Sequence, residues 1–377
     1  MSPTPVTFTS PVLPTAYAWE ATNEQVAERY GVPIESIVRF DLNTSPTPPA
    51  LVERLLAAGR FDAPLSEYPP SDYRRLTEAA AARYGVATDE ILVGAGADEI
   101  LDLVAKAFLA EGSRAVLPAP TYAMYRVLTE QRGAEGVTVP RRPAAEGWAI
   151  DVEAVRAAAR GAAVVWLCSP NNPTGLAEPD GLIETLLEGL AADAPEPPIV
   201  VLDEAYAEFV GTSLVPQREA YPRLVIVRTA SKAYALAGLR VGFAIAKPDV
   251  IAAMNPYRPP GSVSTVSVTI VTEALLDASI LEGNLARVEY ERGRLADALT
   301  DAGWSVGPSV TNFLLVDFGT PERAAATAEG LLSRGLVPRT FGAGHPLAAY
   351  LRLTVRDRHE NDRLIDAASE LDLETPA

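Results

Sequence analysis
A serine and a lysine, Ser231-Lys232, stand just after the apolar run Val225–Arg228, and Arg240 follows the small-residue stretch Ala235-Leu236-Ala237-Gly238. A lysine at the end of a strand in an open α/β sheet lies where such sheets bind ligands. Its amine can form a Schiff base with an aldehyde once burial or nearby positive charge lowers its pKa. Ser231 and Arg240 offer a hydroxyl and a guanidinium fork for a phosphate. Taken alone, Lys232 reads better as a solvated loop residue; the strings around it reverse that.

Upstream, Val200-Val201-Leu202-Asp203-Glu204-Ala205-Tyr206 sets a carboxylate at the end of a buried strand, where an unpaired charge is too costly to keep. Asp203 therefore needs a cationic partner, and a protonated ring nitrogen of an electron-withdrawing cofactor is one; a helix cap or a metal ligand is the plainer alternative. Tyr206 is placed to hydrogen-bond a phenolic oxygen of the same ring, or else is an ordinary half-buried tyrosine. Ser169-Pro170-Asn171-Asn172-Pro173-Thr174-Gly175 is a turn by composition and offers an asparagine amide to that oxygen. Gly94-Ala95-Gly96-Ala97-Asp98-Glu99 joins a strand to a helix and lets a phosphate approach the backbone N–H groups at the helix start. It lacks the spacing of a dinucleotide fingerprint. Tyr122, just after another strand, can stack on a ring or pack in the core.

These residues need a scaffold. Between Ile91 and Ala246, β-branched runs alternate with helical stretches, which predicts a mostly parallel sheet wrapped by helices. Seven strands are expected, at Ile91–Val93, Ala115–Leu117, Val137–Val139, Ala163–Leu167, Ile199–Leu202, Val225–Arg228 and Val241–Ala246. Ser71 or Asp72 is expected to cap a helix that stops at Gly85, Asp151 one that stops at Gly161, and Asp180 to open a third. From Ser264 two long helical patterns lead into a smaller α/β unit with strands at Asn312–Phe318, Leu336–Thr340 and Tyr350–Val355. The proline-rich segment to Asp41 reads as an irregular arm. The expected division is an arm over 1–45, a large unit over 46–255 and a small unit over 256–377.

Composition excludes several functions. The 377 residues carry a formal net charge of −17, which disfavours a phosphate-backbone partner. No apolar run is long enough to span a bilayer, and Met1–Ser10 lacks a basic start followed by an apolar block, so a cytoplasmic setting is expected. The single cysteine, Cys168, reads as packing at a buried strand end.

Together the strings resemble fold-type I enzymes that use pyridoxal 5′-phosphate (PLP), and most closely the histidinol-phosphate aminotransferase family, from about Tyr17 to the last helix. The most specific parts are Cys168 to Gly175, Asp203-Glu204-Ala205-Tyr206, and Arg228-Thr229-Ala230-Ser231-Lys232 through Gly238-Leu239-Arg240. The resemblance implies that Lys232 bonds PLP, Asp203 pairs with its pyridine nitrogen, and Asn172 and Tyr206 hold its phenolic oxygen. It implies that Ser231, Arg240 and the backbone of Ala97 and Asp98 hold the phosphate, with Tyr122 against the ring. Tyr68 resembles a tyrosine given to the neighbouring subunit's cofactor, implying a homodimer. Arg352 and Arg339 look like anion-binding arginines, with Tyr17 and Asn43 also expected at the substrate. The chain departs from the family at Asn43-Thr44-Ser45-Pro46, usually Asn-Glu-Asn-Pro, and at Arg356, where glycine is common. Aromatic aminotransferases and PLP-dependent decarboxylases of phosphorylated amino acids share the cofactor set and are the alternative activities.

Overall fold
The computed structural model describes residues 15–371. Met1–Ser10, read above for a targeting signal, lies outside the described residues, as does the beginning of the arm. The chain runs through α1 (Asn23–Tyr30), β1 (Val38–Arg39), α2 (Ala50–Ala58), α3 (Arg74–Tyr84), β2 (Ile91–Gly94) and α4 (Ala97–Phe108). It continues through β3 (Arg114–Ala119), α5 (Met124–Gln131), β4 (Glu135–Pro140), α6 (Val152–Ala159), β5 (Val164–Cys168), α7 (Leu182–Asp193) and β6 (Ile199–Asp203). Then come β7 (Leu224–Thr229), β8 (Gly242–Ile245), α8 (Pro248–Met254), α9 (Thr265–Leu276) and the long α10 (Ala278–Asp301). The last elements are β9 (Ser305–Val306), β10 (Phe313–Asp317), α11 (Pro321–Leu332), β11 (Leu336–Val337), β12 (Tyr350–Thr354) and α12 (Arg358–Glu370).

All seven expected strands form one sheet in the order β2-β8-β7-β6-β5-β3-β4, in which only β8 runs against its neighbours. Its central strands β5, β6 and β7 are mostly apolar because both faces are covered, whereas the edge strand β4 is largely exposed or half-buried. Ile199 and Val201 of β6, with Val225 and Val227 of β7, enter the core that contains α4 and α5. Val200, Leu202, Leu224 and Ile226 enter the core on the opposite face. The parallel strands β3, β5, β6 and β7 therefore end along one edge, where the loops bearing Tyr122, Asn172, Tyr206 and Lys232 begin.

A three-stranded antiparallel sheet, β12-β10-β9, packs with α10, α11 and α12 into a separate core that also takes Val38 and Phe40. Helix α9 shares its core with α3 and the strand residues Val93 and Phe243. No helix among the described residues is long and apolar enough to cross a membrane.

Four local expectations need correction. The arm is not wholly irregular: α1 carries a full capping box, in which the Thr22 side chain accepts from Gln25 N and the Gln25 side chain accepts from Thr22 N. Helix α3 is entered from Tyr73 in a left-handed conformation, φ 45°, with no side-chain cap at that position; the Asp72 carboxylate before it accepts from Arg74 N and pairs with Arg74 Nε. Helix α7 starts after Gly181 with no side-chain cap, so Asp180 does not open it. The strand expected over Leu336–Thr340 is only Leu336–Val337 plus a bridge between Arg339 and Arg352. Asp151 does cap α6, accepting from Ala154 N.

Candidate active site
The strand ends converge on a cavity of about 420 Å³ lined by Tyr17, Asn43, Ala97, Asp98, Tyr122, Asn172, Asp203, Tyr206, Ser231, Lys232, Arg240, Arg339 and Arg352. Every site residue expected from the sequence is there except Tyr68, which is 90% exposed. A second cavity of about 560 Å³ adjoins it across the Tyr17–Trp19 segment, sharing Tyr122, Asn172, Arg339 and Arg352.

Lys232 is half-buried, and its Nζ donates to the carbonyls of Asn43 at 3.2 Å and Leu42 at 3.5 Å. Loss of hydration, then the positive charges of Arg352 and Arg240, lower its pKa to about 8. The other two lysines of the chain, Lys106 and Lys247, are tied to Asp102 and Glu219. Asp203 is buried at the end of β6, accepting from Tyr125 Oη at 2.8 Å and Ala205 N at 3.0 Å. Burial pushes its pKa up to about 6 despite those two hydrogen bonds, and no described cation lies within ion-pair distance. Tyr125, three residues after Tyr122 and without a motif of its own in the sequence, also stacks on Trp166 with 5.4 Å between centroids. It fixes the carboxylate.

At the start of α4 the backbone closes tightly. A Cβ on Gly242 would lie 2.4 Å from the carbonyl carbon of Gly96, and one on Gly96 would lie 2.6 Å from Arg240 Nη2. Only glycines allow the helix start, Arg240 and β8 to meet here. Arg240 pairs with Asp98 at 3.2 Å, and Asp98 accepts from Tyr122 Oη at 2.9 Å. Ser231 Oγ accepts from Thr229 Oγ1 at 2.9 Å, which leaves its own proton for a ligand oxygen. The first-turn N–H groups of α4, Ser231 and Arg240 thus form a donor set suited to a phosphate.

Tyr206 Oη accepts from Asn43 Nδ2 at 3.0 Å, and its ring meets Phe313 edge-on. The Asn43 side chain is therefore engaged with Tyr206, a contact across 163 residues that no local pattern announces. Arg352 is 7% exposed; it donates from Nη1 to Asn172 Oδ1 at 2.5 Å and from Nη2 to the Asp41 carbonyl. Its Nε has no partner, and no carboxylate among the described residues lies within 4.0 Å of its guanidinium. Arg339 donates to the Ala18 carbonyl at 2.7 Å, lies 3.6 Å from Glu20 and sits over the Tyr17 ring. Cys168 is buried, with its thiol pushed up to about 12 by desolvation, as suits a packing residue at the cavity wall.

The donor set fits PLP: a low-pKa amine for the aldehyde, a buried acid for the ring nitrogen, a tyrosine and an amide near the phenolic oxygen, and a glycine-lined helix start for the phosphate. Residues 37–367 match the family described as aminotransferase class I and II. The chain is 36% identical over 338 residues to the histidinol-phosphate aminotransferase of Symbiobacterium thermophilum, covering 89% of this chain and 90% of that one. It is 39% identical over 310 residues to that of Salmonella typhi, covering 80% and 83%. The crystal structure of histidinol-phosphate aminotransferase from Sinorhizobium meliloti in complex with pyridoxal-5′-phosphate superposes with a TM-score of 0.82 at 27% identity, covering 94% of this chain and 95% of that one. The chain belongs to the class I and II aminotransferases.

Proposed function
We propose that the protein is a PLP-dependent histidinol-phosphate aminotransferase of histidine biosynthesis, converting histidinol phosphate and 2-oxoglutarate to imidazole acetol phosphate and L-glutamate. The observation that carries this is a set of charges without counterions in one cavity: buried Asp203 without a cation, buried Arg352 without a carboxylate, and half-buried Lys232 with its pKa lowered to about 8. A cofactor ring and an anionic substrate supply the missing partners, and the names of the relatives support the substrate.

Bound PLP supplies an aldehyde for the amine and a protonated ring that withdraws electrons from the substrate's Cα. Asp203 keeps the ring nitrogen protonated, held by Tyr125 and Ala205 N. Asn172 and Tyr206 donate to the phenolic oxygen, and Tyr122 packs against the ring. Ser231, Arg240 and the N–H groups of Ala97 and Asp98 grip the phosphate. The freed Lys232 amine then takes the proton from Cα and delivers it to the C4′ position, its reach set by the carbonyls of Leu42 and Asn43.

Arg352 binds the anionic end common to both substrates, since a guanidinium fork accepts carboxylate or phosphate. Arg339 and Tyr17 add contacts from the rim. In this reading 46–255 carries the cofactor, 256–377 carries the substrate arginines, and 1–45 is the arm. Tyr68 reaches the cofactor of a second subunit, and the homodimer works in the cytoplasm. A screen of half-reactions, following the cofactor spectrum as each amine is added, tests the assignment. Histidinol phosphate and glutamate are expected to convert it. A higher catalytic efficiency with phenylalanine establishes an aromatic aminotransferase instead, and release of carbon dioxide a decarboxylase.

A further inference from the structure
The two places where the chain departs from the family pattern meet in space. Arg356, in a position where glycine is common, donates from Nη1 to the Thr44 carbonyl at 3.2 Å and to Thr44 Oγ1 at 3.4 Å, a contact 312 residues apart in sequence. Its other nitrogens are fixed by both carboxylate oxygens of Glu360, at 2.9 and 3.1 Å. Its backbone N donates to Asn361 Oδ1 at 3.0 Å. The guanidinium is buried and is not part of the cavity wall.

A second arginine completes the arrangement. Arg287 on α10 donates to Ser45 Oγ at 3.2 Å, to the Arg356 carbonyl at 3.2 Å and to Asn284 Oδ1 at 2.9 Å. Asn284 Nδ2 in turn donates to the carbonyl of Ala233, the residue after Lys232, at 2.6 Å. One network therefore holds the 43–45 turn and the lysine segment together. Between them lies Asn43 at φ 53°, a left-handed conformation that a non-glycine residue keeps only when its surroundings enforce it. Asn43 and Leu42 present the two carbonyls that receive Lys232 Nζ.

We propose that Arg356 and Arg287 are positioning residues for Lys232: by locking the turn 42–45 they hold the two carbonyls that keep the freed amine in line to move its proton, and Arg356 compensates for Thr44-Ser45 in the turn. The inference rests on the aminotransferase reading for its proton step, but not for the network itself. A guanidinium suits the role because it reaches a carbonyl, a hydroxyl and a bidentate carboxylate at once. A lysine side chain has many rotamers, and fixing its end confines the amine to productive geometry. The charges around the amine, Asp98, Asp203, Arg240 and Arg352, are untouched by changes at 356.

The test uses the full chain and the variants Arg356→Gly, Arg356→Lys and Glu360→Gln. In the first measurement the cofactor-free chain is acetylated at pH 8, and modification of Lys232 is read by mass spectrometry against Lys106 and Lys247, its only other lysines. Loss of the carbonyl acceptors is expected to raise the Lys232 ratio about threefold or more in Arg356→Gly and Glu360→Gln, with partial return in Arg356→Lys. In the second, the holoenzyme half-reaction is run with glutamate carrying hydrogen or deuterium at Cα. The variants are expected to slow and to show a larger isotope effect, with the saturation constant for glutamate little changed. Labelling ratios and isotope effects equal to wild type in Arg356→Gly overturn the proposal, even where its melting temperature falls. Should that variant fail to fold, Glu360→Gln decides in the same way. A wild-type chain that does not react with glutamate removes the aminotransferase reading, while the labelling ratio still decides the network.

Discussion
Asp203 and Glu204 are neighbours at one strand end, yet they lie in opposite electrostatic settings. Glu204 points to the far face of the sheet, where Arg228 Nη1 meets it at 2.6 Å and Arg228 Nη2 meets Glu208 at 2.7 Å, with all three side chains nearly inaccessible. The Tyr84 ring lies beneath the guanidinium, 5.1 Å away. Asp203 points to the cavity face, and across that cavity Arg352 is just as buried and has no acid. The difference separates two uses of a buried charge. Where a buried charge meets the opposite sign, as Arg228 meets the two carboxylates behind the sheet, the ion pairs hold the segment bearing Tyr206 to the strand leading to Lys232. Where charges are left unmatched, they stand ready for the charges of a ligand.

The contrast can be broken by mutation. The largest effect on chemistry is expected from Lys232→Ala, which abolishes transamination while the chain folds and retains PLP noncovalently through the phosphate donors; turnover of glutamate and a melting curve check the two halves. On the matched side, Arg228→Met leaves Glu204 and Glu208 buried without a cation and is expected to cost roughly 3–5 kcal/mol of stability, measured by denaturant unfolding.

On the unmatched side, the folded Asp203 carboxyl binds its proton near pH 6 and its unfolded counterpart near 3.8. The folded state therefore takes up a proton between those values, so the cofactor-free chain gains stability as pH falls through that window. The gain is on the order of 3 kcal/mol or less. Asp203→Asn is expected to remove this slope in a pH series of unfolding curves, and to retain PLP while losing most of its half-reaction rate. Arg352→Ala is expected to leave stability nearly intact, because it breaks no ion pair. It weakens both half-reactions by roughly 1.5–3 kcal/mol, on the order of tenfold or more, as read from kcat/KM. The smallest effect is expected from Arg339→Ala, which raises the apparent constant for histidinol phosphate more than that for glutamate.

The sequence made legible what is contiguous. The central strands β5, β6 and β7 are buried on both faces and mostly apolar, so their positions follow from composition, and the residues at their ends fall on one edge by topology. Lys232, Asp203 and Asn172 can be read in this way because each lies at the end of its strand or within a few residues after it. Arg352 and Arg339 were reached only by resemblance, since nothing around Tyr350–Thr354 marks an anion site. Other parts depend on contacts made after folding. Asn43 on Tyr206, Glu20 on Thr340 and Arg356 on Thr44 join positions far apart in the chain. Tyr125 lay within a string already noticed, but its hydroxyl finds Asp203 only through the packing of α5 on the sheet. Helix α1 is missed in a segment that reads as irregular for its prolines, although Thr22-Asn23-Glu24-Gln25 carries the capping-box spacing that signals it.

The central claim is that the unmatched charges of the cavity surround a cofactor bonded to Lys232. Purified chain equilibrated with PLP, reduced with borohydride and digested, shows directly which lysine carries the cofactor. The account predicts one cofactor per chain, on the peptide containing Lys232, and none on Lys106 or Lys247. Cofactor on either of those lysines, or an unlabelled Lys232 peptide in a chain that has bound PLP, would contradict it.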